Sequence, residues 1–498
     1  MERSVNETAR TVDVLVVGFG TAGAAAAIAA HDAGRKVLIV EKTAAGGGNA
    51  LYSGGFLFDV PGDDCAAHID ALSFGRAPQP VVEAYAEGLH GLADWLGGIG
   101  AATEVFAPPP GRLPASFPSW PHFPAGDRIT YRVVSGGEGR RGEALWDRLS
   151  TAVAERDIEV AYETSARHLL RDEMGRVTGL VVSDSAGGRG EKPSHSDGKA
   201  PQATTEIRAD AVILACGGFE GDAGLADAYL PLGPTYPVGH AANTGDGLRL
   251  AQEAGASLWH MYGFFGWFSY RAPDFPAPFA IDFFAPSFLM VDREGRRFSD
   301  ETGQEVHDRL RALSNYLPHN ENRPGLPSYA IFDDAARQAG PLNGLLGTPN
   351  DYVWSKDNSA EVERGWIVSA DGPRELAEKL GLADPDVLVS TLAAYDASAR
   401  AGNDPVFHRD PELLVPLSGE RLYAIETWPG VAGTTGGPRH DEHARVLAET
   451  GDPIPGLYSA GAVGLVWGHL IDHGGGLTNA LVFGRIAGED AAALATWS

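Results

Sequence analysis

The sequence predicts an α/β fold in which one parallel-sheet domain is assembled from both ends of the chain and an α+β domain is inserted between them. Three observations predict it. A strand, glycine turn, helix and second strand open the sequence, glycine-rich segments return after about residue 428, and the stretch beginning near residue 260 is dense in aromatic residues instead.

Asp13–Val17 (DVLVV) is a run of the kind that forms a fully buried parallel strand. Gly18-Phe19-Gly20-Thr21-Ala22-Gly23 follows at once, and an Ala-rich helix then runs to about Ala33, with Gly34 ending it. Lys36–Val40 is the next strand, with Glu41 at its end, which completes a βαβ unit. Arg176–Val182 and Glu206–Leu214 read as strands, and the polar Ser185–Ala203 between them as a solvated loop. Helical patterns occur at Pro373–Leu380 and Asp386–Ala401, and the chain ends in a helix-like segment, Thr478–Thr496. The expected layout is residues 1–260 with 428–498 as the first domain and 261–427 as the insertion.

Composition narrows the function. Of 498 residues 44% are hydrophobic and 21% charged, as in a globular chain with a sizeable core. The net charge, 39 − 66 = −27, argues against nucleic acid or an anionic membrane as partner, because phosphate binding needs a basic face. Cys65 and Cys216 make no disulfide framework. Residues 1–10 are polar, without the apolar core of a secretory signal, and no run of about 20 apolar residues is present to span a bilayer. A cytoplasmic setting is the expectation, and no metal site is expected.

The glycine turn carries the first chemistry. Gly18 permits a tight turn, Gly20 lets backbone approach a pyrophosphate, and Gly23 lets the helix pack on the strand. Thr21 and Ala22 open the helix, whose N-terminus attracts phosphate. Glu41, followed by Lys42, stands where a carboxylate accepts hydrogen bonds from ribose hydroxyls. Two further clusters, Gly46-Gly47-Gly48-Asn49 and Ser53-Gly54-Gly55, place more backbone along an extended ligand. No second GxGxxG follows a strand, so FAD is favoured over a two-nucleotide arrangement.

These residues resemble the FAD-binding domain of the fumarate reductase and succinate dehydrogenase flavoprotein superfamily, which includes the 3-ketosteroid dehydrogenases. The resemblance extends to Gly142–Leu145, to the adenine contact near Ala166, to Ala215-Cys216-Gly217-Gly218-Phe219, and to Asn243–Gly247 with Asp246. It closes on Gly456–Gly461 and on Gly474–Gly476 with Leu477, near the pyrimidine end of the flavin. It implies a Rossmann-type FAD domain under a capping substrate domain. Two departures matter. Ala462 stands where many relatives carry a polar residue, and Gly48-Asn49 replaces the stretch in which respiratory relatives tether FAD to histidine, so FAD is expected to be non-covalent.

The cap motif Val291–Glu301 resembles the family pattern V-N-x-x-G-x-R-F-x-N-E, and Glu305 falls where relatives place the residue that handles the proton. A carboxylate in an apolar cleft, its pKa raised, is suited to that transfer, with His307 as the nearby substitute; the competing reading makes Glu305 a surface residue. The cations that clamp dicarboxylates in fumarate reductases are missing near Trp267, at Ala432–Gly437 and at Ile471–His473. Aromatic residues Phe117, Trp120, Phe123, Trp259–Tyr270 and Phe283–Phe284 offer apolar surface instead. Trp467–Gly476 resembles the stretch that holds the ketone in ketosteroid Δ1-dehydrogenases, without its tyrosine, so backbone N–H near Gly475 is expected to hold a ketone oxygen, with His473, Asp472 or His469 assisting. The implied activity is desaturation of an apolar, cyclic ketone or reduction of the enone, with an unidentified electron donor or acceptor. The alternatives are a fumarate-type reductase, a flavin oxidase, and a flavin-binding protein without turnover.

Overall fold

The structure, a computed structural model, describes residues 10–60, 64–107, 119–136, 141–185, 203–303, 305–315, 325–343, 350–417 and 419–494. Phe117, the body of the polar segment at 186–202 and the end of the last predicted helix at 495–498 lie outside the described residues.

The opening unit forms as the sequence predicts: β1 spans Arg10–Val17, α1 Thr21–Asp32 and β2 Val37–Val40. β1 pairs in parallel with β2, Val14 opposite Val37. Its other edge pairs in parallel with Thr204–Leu214, which pairs in turn with Pro453–Ser459, so a strand from the far end of the chain lies two places from the first. Glu159–Ala161 extends the sheet beyond β2, and the hairpin Thr164–Arg171/Val177–Asp184 folds antiparallel onto Thr204–Leu214. The alanines of α1 have a steric reason. The C-terminal helix Gly475–Ala493 crosses it so closely that a Cβ added at Gly484 would lie 2.6 Å from the Ala22 carbonyl oxygen, and one at Gly488 2.3 Å from that of Ala26. Only small residues allow such an approach.

A second sheet is organised by Arg421–Thr434, a strand of 14 residues that runs through position 428 without a break. One half pairs antiparallel with Phe264–Tyr270 and the other with Ser328–Asp333, beside which lies Phe288–Val291. Helices Pro373–Leu380 and Pro385–Ala401 cover one face, packing Leu376, Leu388 and Leu392 on Leu289 and Ile331. The opposite face is an aromatic core that includes Phe279, Phe332, Trp354 and Trp366. Strand alternation divides the predicted aromatic run: Phe264 and Phe268 enter this core, while Phe265 and Trp267 face the cleft described below. Phe283 also belongs to the core, stacked on Phe288 at 4.1 Å, and Trp120 donates to the Ile471 carbonyl rather than lining the cleft.

The cap motif has a structural logic of its own. Asp292 accepts the backbone N–H groups of Glu294 and Arg296 in a tight turn. Buried Glu301 receives Arg297 at 2.8 Å and Arg409 at 3.2 Å, together with the Met290 N–H. Among the described residues no helix is long and apolar enough to cross a membrane.

Candidate active site and its cofactor cleft

A long cleft runs from the glycine turn after β1, past the N-terminus of the C-terminal helix, to the underside of the second sheet. At its first end Gly18 adopts φ +102°, and an added Cβ would lie 2.6 Å from the Ala215 carbonyl oxygen, so this position is closed to any side chain. At Gly23 the added Cβ would meet the Gly18 oxygen at 2.0 Å. Gly23 is therefore a packing residue and does not line the cleft. Gly20 and Gly48 differ: a Cβ there would meet nothing nearer than 3.7 Å, or nothing within 4 Å, which leaves the space beside them for a ligand.

The donor and acceptor set fits FAD. The α1 N-terminus has no side-chain cap, and the buried Thr21 hydroxyl beside it has no protein partner, so both suit an acceptor such as phosphate. Glu41 is held rigidly: it accepts the Phe19 N–H at 2.9 Å through Oε2, and the Thr43 N–H and hydroxyl at 2.8 and 2.7 Å through Oε1. Lys42 pairs with Asp246 at 2.6 Å. Asn49 donates to Glu220 and to the Ala432 carbonyl and accepts the His240 N–H, which braces the second glycine cluster. Burial pushes the carboxyl of Glu220 up to about 6. At the far end Gly476 and Leu477 lie in the first turn of the C-terminal helix, which no side chain caps. Gly47, Ser53, Gly54, Gly55, Ala166, Gly217, Gly461 and Ala462 line the walls between, and Ala462 offers no polar side-chain atom.

The substrate end is built around Glu305. This residue is buried, 2% exposed, so the surface reading is overturned. Its Oε1 meets His307 Nδ1 at 2.7 Å and His473 Nδ1 at 2.9 Å, and its Oε2 accepts the His307 N–H at 2.8 Å. The raised pKa expected of Glu305 is also overturned. Burial opposes its ionisation, but the two imidazoles outweigh burial and hold the carboxyl well below the usual carboxylate range. His307 shifts the other way: burial disfavours its charge, yet Glu305 holds its pKa above the ordinary histidine value. For His473 burial prevails and the pKa is lowered. Both rings line the cleft, 4.4 Å apart between centroids. The arrangement is one anchored carboxylate presenting two imidazoles of opposite bias. One ligand atom from each of Glu305, His307 and His473 lies within 4.8 Å of the others, a grouping that also suits a metal ion.

The remaining predicted residues fall elsewhere. Asp472 reaches the cleft wall, but its carboxylate is engaged inward, accepting Tyr131 OH at 2.7 Å and facing the buried His68 at 3.2 Å. Ser119 links this network to His473 at 2.8 Å. Gly475 does not line the cleft, and its N–H donates to the Asp472 carbonyl at 2.9 Å, so it is not available to a ketone. His469 is likewise outside the wall, packed edge-on to Phe74 at 4.7 Å. Sequence reasoning missed Tyr131, His68 and Ser119, whose partners lie hundreds of positions away and leave no local pattern.

The model for an FAD binding domain matches residues 13–478, and the chain belongs to that family. It is a flavin-dependent oxidoreductase acting on CH–CH groups. It is 28% identical to a 3-oxosteroid 1-dehydrogenase of Mycolicibacterium smegmatis over 99% of this chain and 99% of that protein. It is 29% identical to a fumarate reductase (cytochrome) of Shewanella frigidimarina over 97% of this chain and 77% of that protein. Its fold is like that of the 3-ketosteroid delta1-dehydrogenase of Sterolibacterium denitrificans, with a TM-score of 0.80, 22% identity, and coverage of 97% of this chain and 100% of that one.

Proposed function

We propose that the chain desaturates an apolar, cyclic ketone at its α,β carbons, or reduces the corresponding enone, with FAD held non-covalently and residues 261–427 acting as the cap over the substrate. One observation carries this reading: a buried carboxylate fixes two imidazoles by their Nδ1 atoms at the wall of the FAD cleft. FAD supplies the hydride chemistry. His307 is the group that holds or moves the substrate proton. With Nδ1 directed at Glu305, its remaining nitrogen, Nε2, is the one turned away from the carboxylate. Glu305 is a positioning residue that sets the tautomer and stabilises the imidazolium, the role a carboxylate plays behind any histidine base. His473, biased toward the neutral form, accompanies it. The Gly476 N–H, at the open start of a helix, is the donor best placed for a ketone oxygen now that Gly475 is engaged.

Similarity to the 3-oxosteroid 1-dehydrogenase supports a ketone; similarity to the fumarate reductase supports the competing substrate, an unsaturated carboxylate. Against a dicarboxylate stands the shortage of arginine and lysine in the cleft, where among the described residues Lys42, already paired, and Arg141 are the two that line the wall, and His307 is engaged by Glu305. The test is an anaerobic visible spectrum of the FAD-loaded protein with a panel of saturated cyclic ketones. Bleaching by a ketone is expected. If no ketone bleaches the flavin, and fumarate but no enone reoxidises the chemically reduced protein, the competing reading stands.

A further inference from the structure

Arg141 opens the helix Arg141–Glu155 and stands in the cleft wall. Its place is fixed by backbone contact. A Cβ added at Gly55 would lie 2.4 Å from the Arg141 carbonyl carbon, and one at Gly142 2.2 Å from the Ala50 oxygen, so the helix start is pressed onto the Gly48–Ser53 turn. The guanidinium lies over two aromatic faces, 4.7 Å from the ring centre of Phe106 and 5.4 Å from that of Phe56. Phe56 is in turn edge-on to His473, 6.1 Å between ring centres. The cation is thus one aromatic ring removed from the imidazole pair.

Among the described residues Arg141 has no carboxylate partner. Burial alone acts on it, lowering its pKa, with no acidic neighbour contributing. This stands out in a chain with 66 carboxylates and 39 cations. The other cation of the wall, Lys42, is engaged by Asp246 at 2.6 Å. A partly desolvated guanidinium without a counter-ion is costly unless a ligand supplies the charge.

We propose that Arg141 binds a single carboxylate of the substrate, so that the substrate is an oxo acid whose ring lies between this guanidinium and His307. The inference rests on the reading of the cleft as a ketone site. Arginine presents two parallel N–H donors to a carboxylate, and the flanking phenylalanines exclude water and strengthen the pair. One guanidinium answers one carboxylate. A dicarboxylate would bring a second charge with no partner.

The test uses the full chain loaded with FAD, 4-oxocyclohexanecarboxylate, and its methyl ester, which keeps the ring and ketone but not the charge. Affinity is read anaerobically from the perturbation of the flavin spectrum, for wild type, Arg141→Gln and Arg141→Lys. The wild type is expected to bind the acid roughly ten- to a hundredfold more tightly than the ester. In Arg141→Gln that ratio falls to about one, and in Arg141→Lys it recovers in part, because lysine keeps the charge without the fork. Equal affinity of acid and ester in the wild type, no binding of the acid, or a parallel loss of both probes in Arg141→Gln overturns the proposal. Loss of FAD by Arg141→Gln with unchanged melting also overturns it, by assigning the guanidinium to the cofactor. Bleaching is recorded separately. A preserved acid-to-ester ratio without bleaching by either probe supports the carboxylate subsite while refuting ketone desaturation.

Discussion

Replacing Glu305 by glutamine separates a positioning carboxylate from a catalytic one. Glu305 accepts three N–H groups, from His307 Nδ1 at 2.7 Å, His473 Nδ1 at 2.9 Å and the His307 backbone at 2.8 Å. Glutamine matches its shape, but its amide nitrogen must then face either the His307 N–H or the two imidazoles, donor against donor. At least one charge-assisted bond is lost, about 1.5–3 kcal/mol of stability. Loss of the fixed tautomer removes a general acid–base contribution of roughly 10²–10⁴ in rate. The pH dependence carries the sharper signature. Desaturation needs His307 neutral, so the wild-type rate rises as pH passes upward through a pKa that Glu305 holds above the ordinary histidine value. With the carboxylate gone, burial is opposed only by the more weakly acting Asp308 and Asp472, and the inflection moves to lower pH with a lower plateau. The assay is stopped-flow anaerobic bleaching of the flavin by a ketone substrate across pH, with the visible spectrum checking that FAD is retained. A wild-type plateau with an unmoved inflection would refute the positioning role.

Three further outcomes follow from single side chains. Thr21→Val, which removes the unpartnered hydroxyl at the start of α1, is expected to weaken FAD binding by about 1 kcal/mol, severalfold in Kd, by fluorescence titration; unchanged affinity would place the phosphate elsewhere. Tyr131→Phe deprives the Asp472 carboxylate of its 2.7 Å donor and should cost about 1–3 kcal/mol in urea denaturation with FAD still bound. A denaturation midpoint equal to wild type would mean that the inward network is not a stabilising one. Arg409→Met leaves Glu301 with Arg297 as its one remaining guanidinium and is expected to destabilise by about 3–5 kcal/mol, visible as a lowered melting temperature; no change would show that Arg297 alone suffices.

The cofactor end was legible because its constraints are local. Glycines at 18, 20 and 23 and the carboxylate at 41 form a pattern within one βαβ unit: Gly18 and Gly23 are closed to a side chain, Gly20 leaves open space, and Glu41 is held by the Phe19 N–H. The substrate end was legible only in part. Position 305 stood out by its spacing from the cap motif, but its chemistry is set by His473, 168 positions further on (473 − 305), and by burial, neither of which spacing reveals. The histidine expected as a substitute, His307, emerges as the group under Glu305's control. Gly475 illustrates a different limit: a run of three glycines does not disclose which N–H is already bonded within its own turn. The aromatic run divided between core and cleft by strand alternation, which requires the strand's facing partner to be known before either side can be called inside.

The close crossing of α1 with the C-terminal helix has a consequence for biogenesis. One end of the cleft is lined by residues 18–22, but the walls that complete it come from 461–480, at the start of a helix held to α1 by glycine and alanine contacts with no room for larger side chains. A chain emerging from the ribosome N-terminus first therefore has its opening βαβ unit long before it has a cofactor site. The cleft cannot close around FAD until residues 461–480 have been made, and binding energy gained there then joins segments that lie far apart in the sequence.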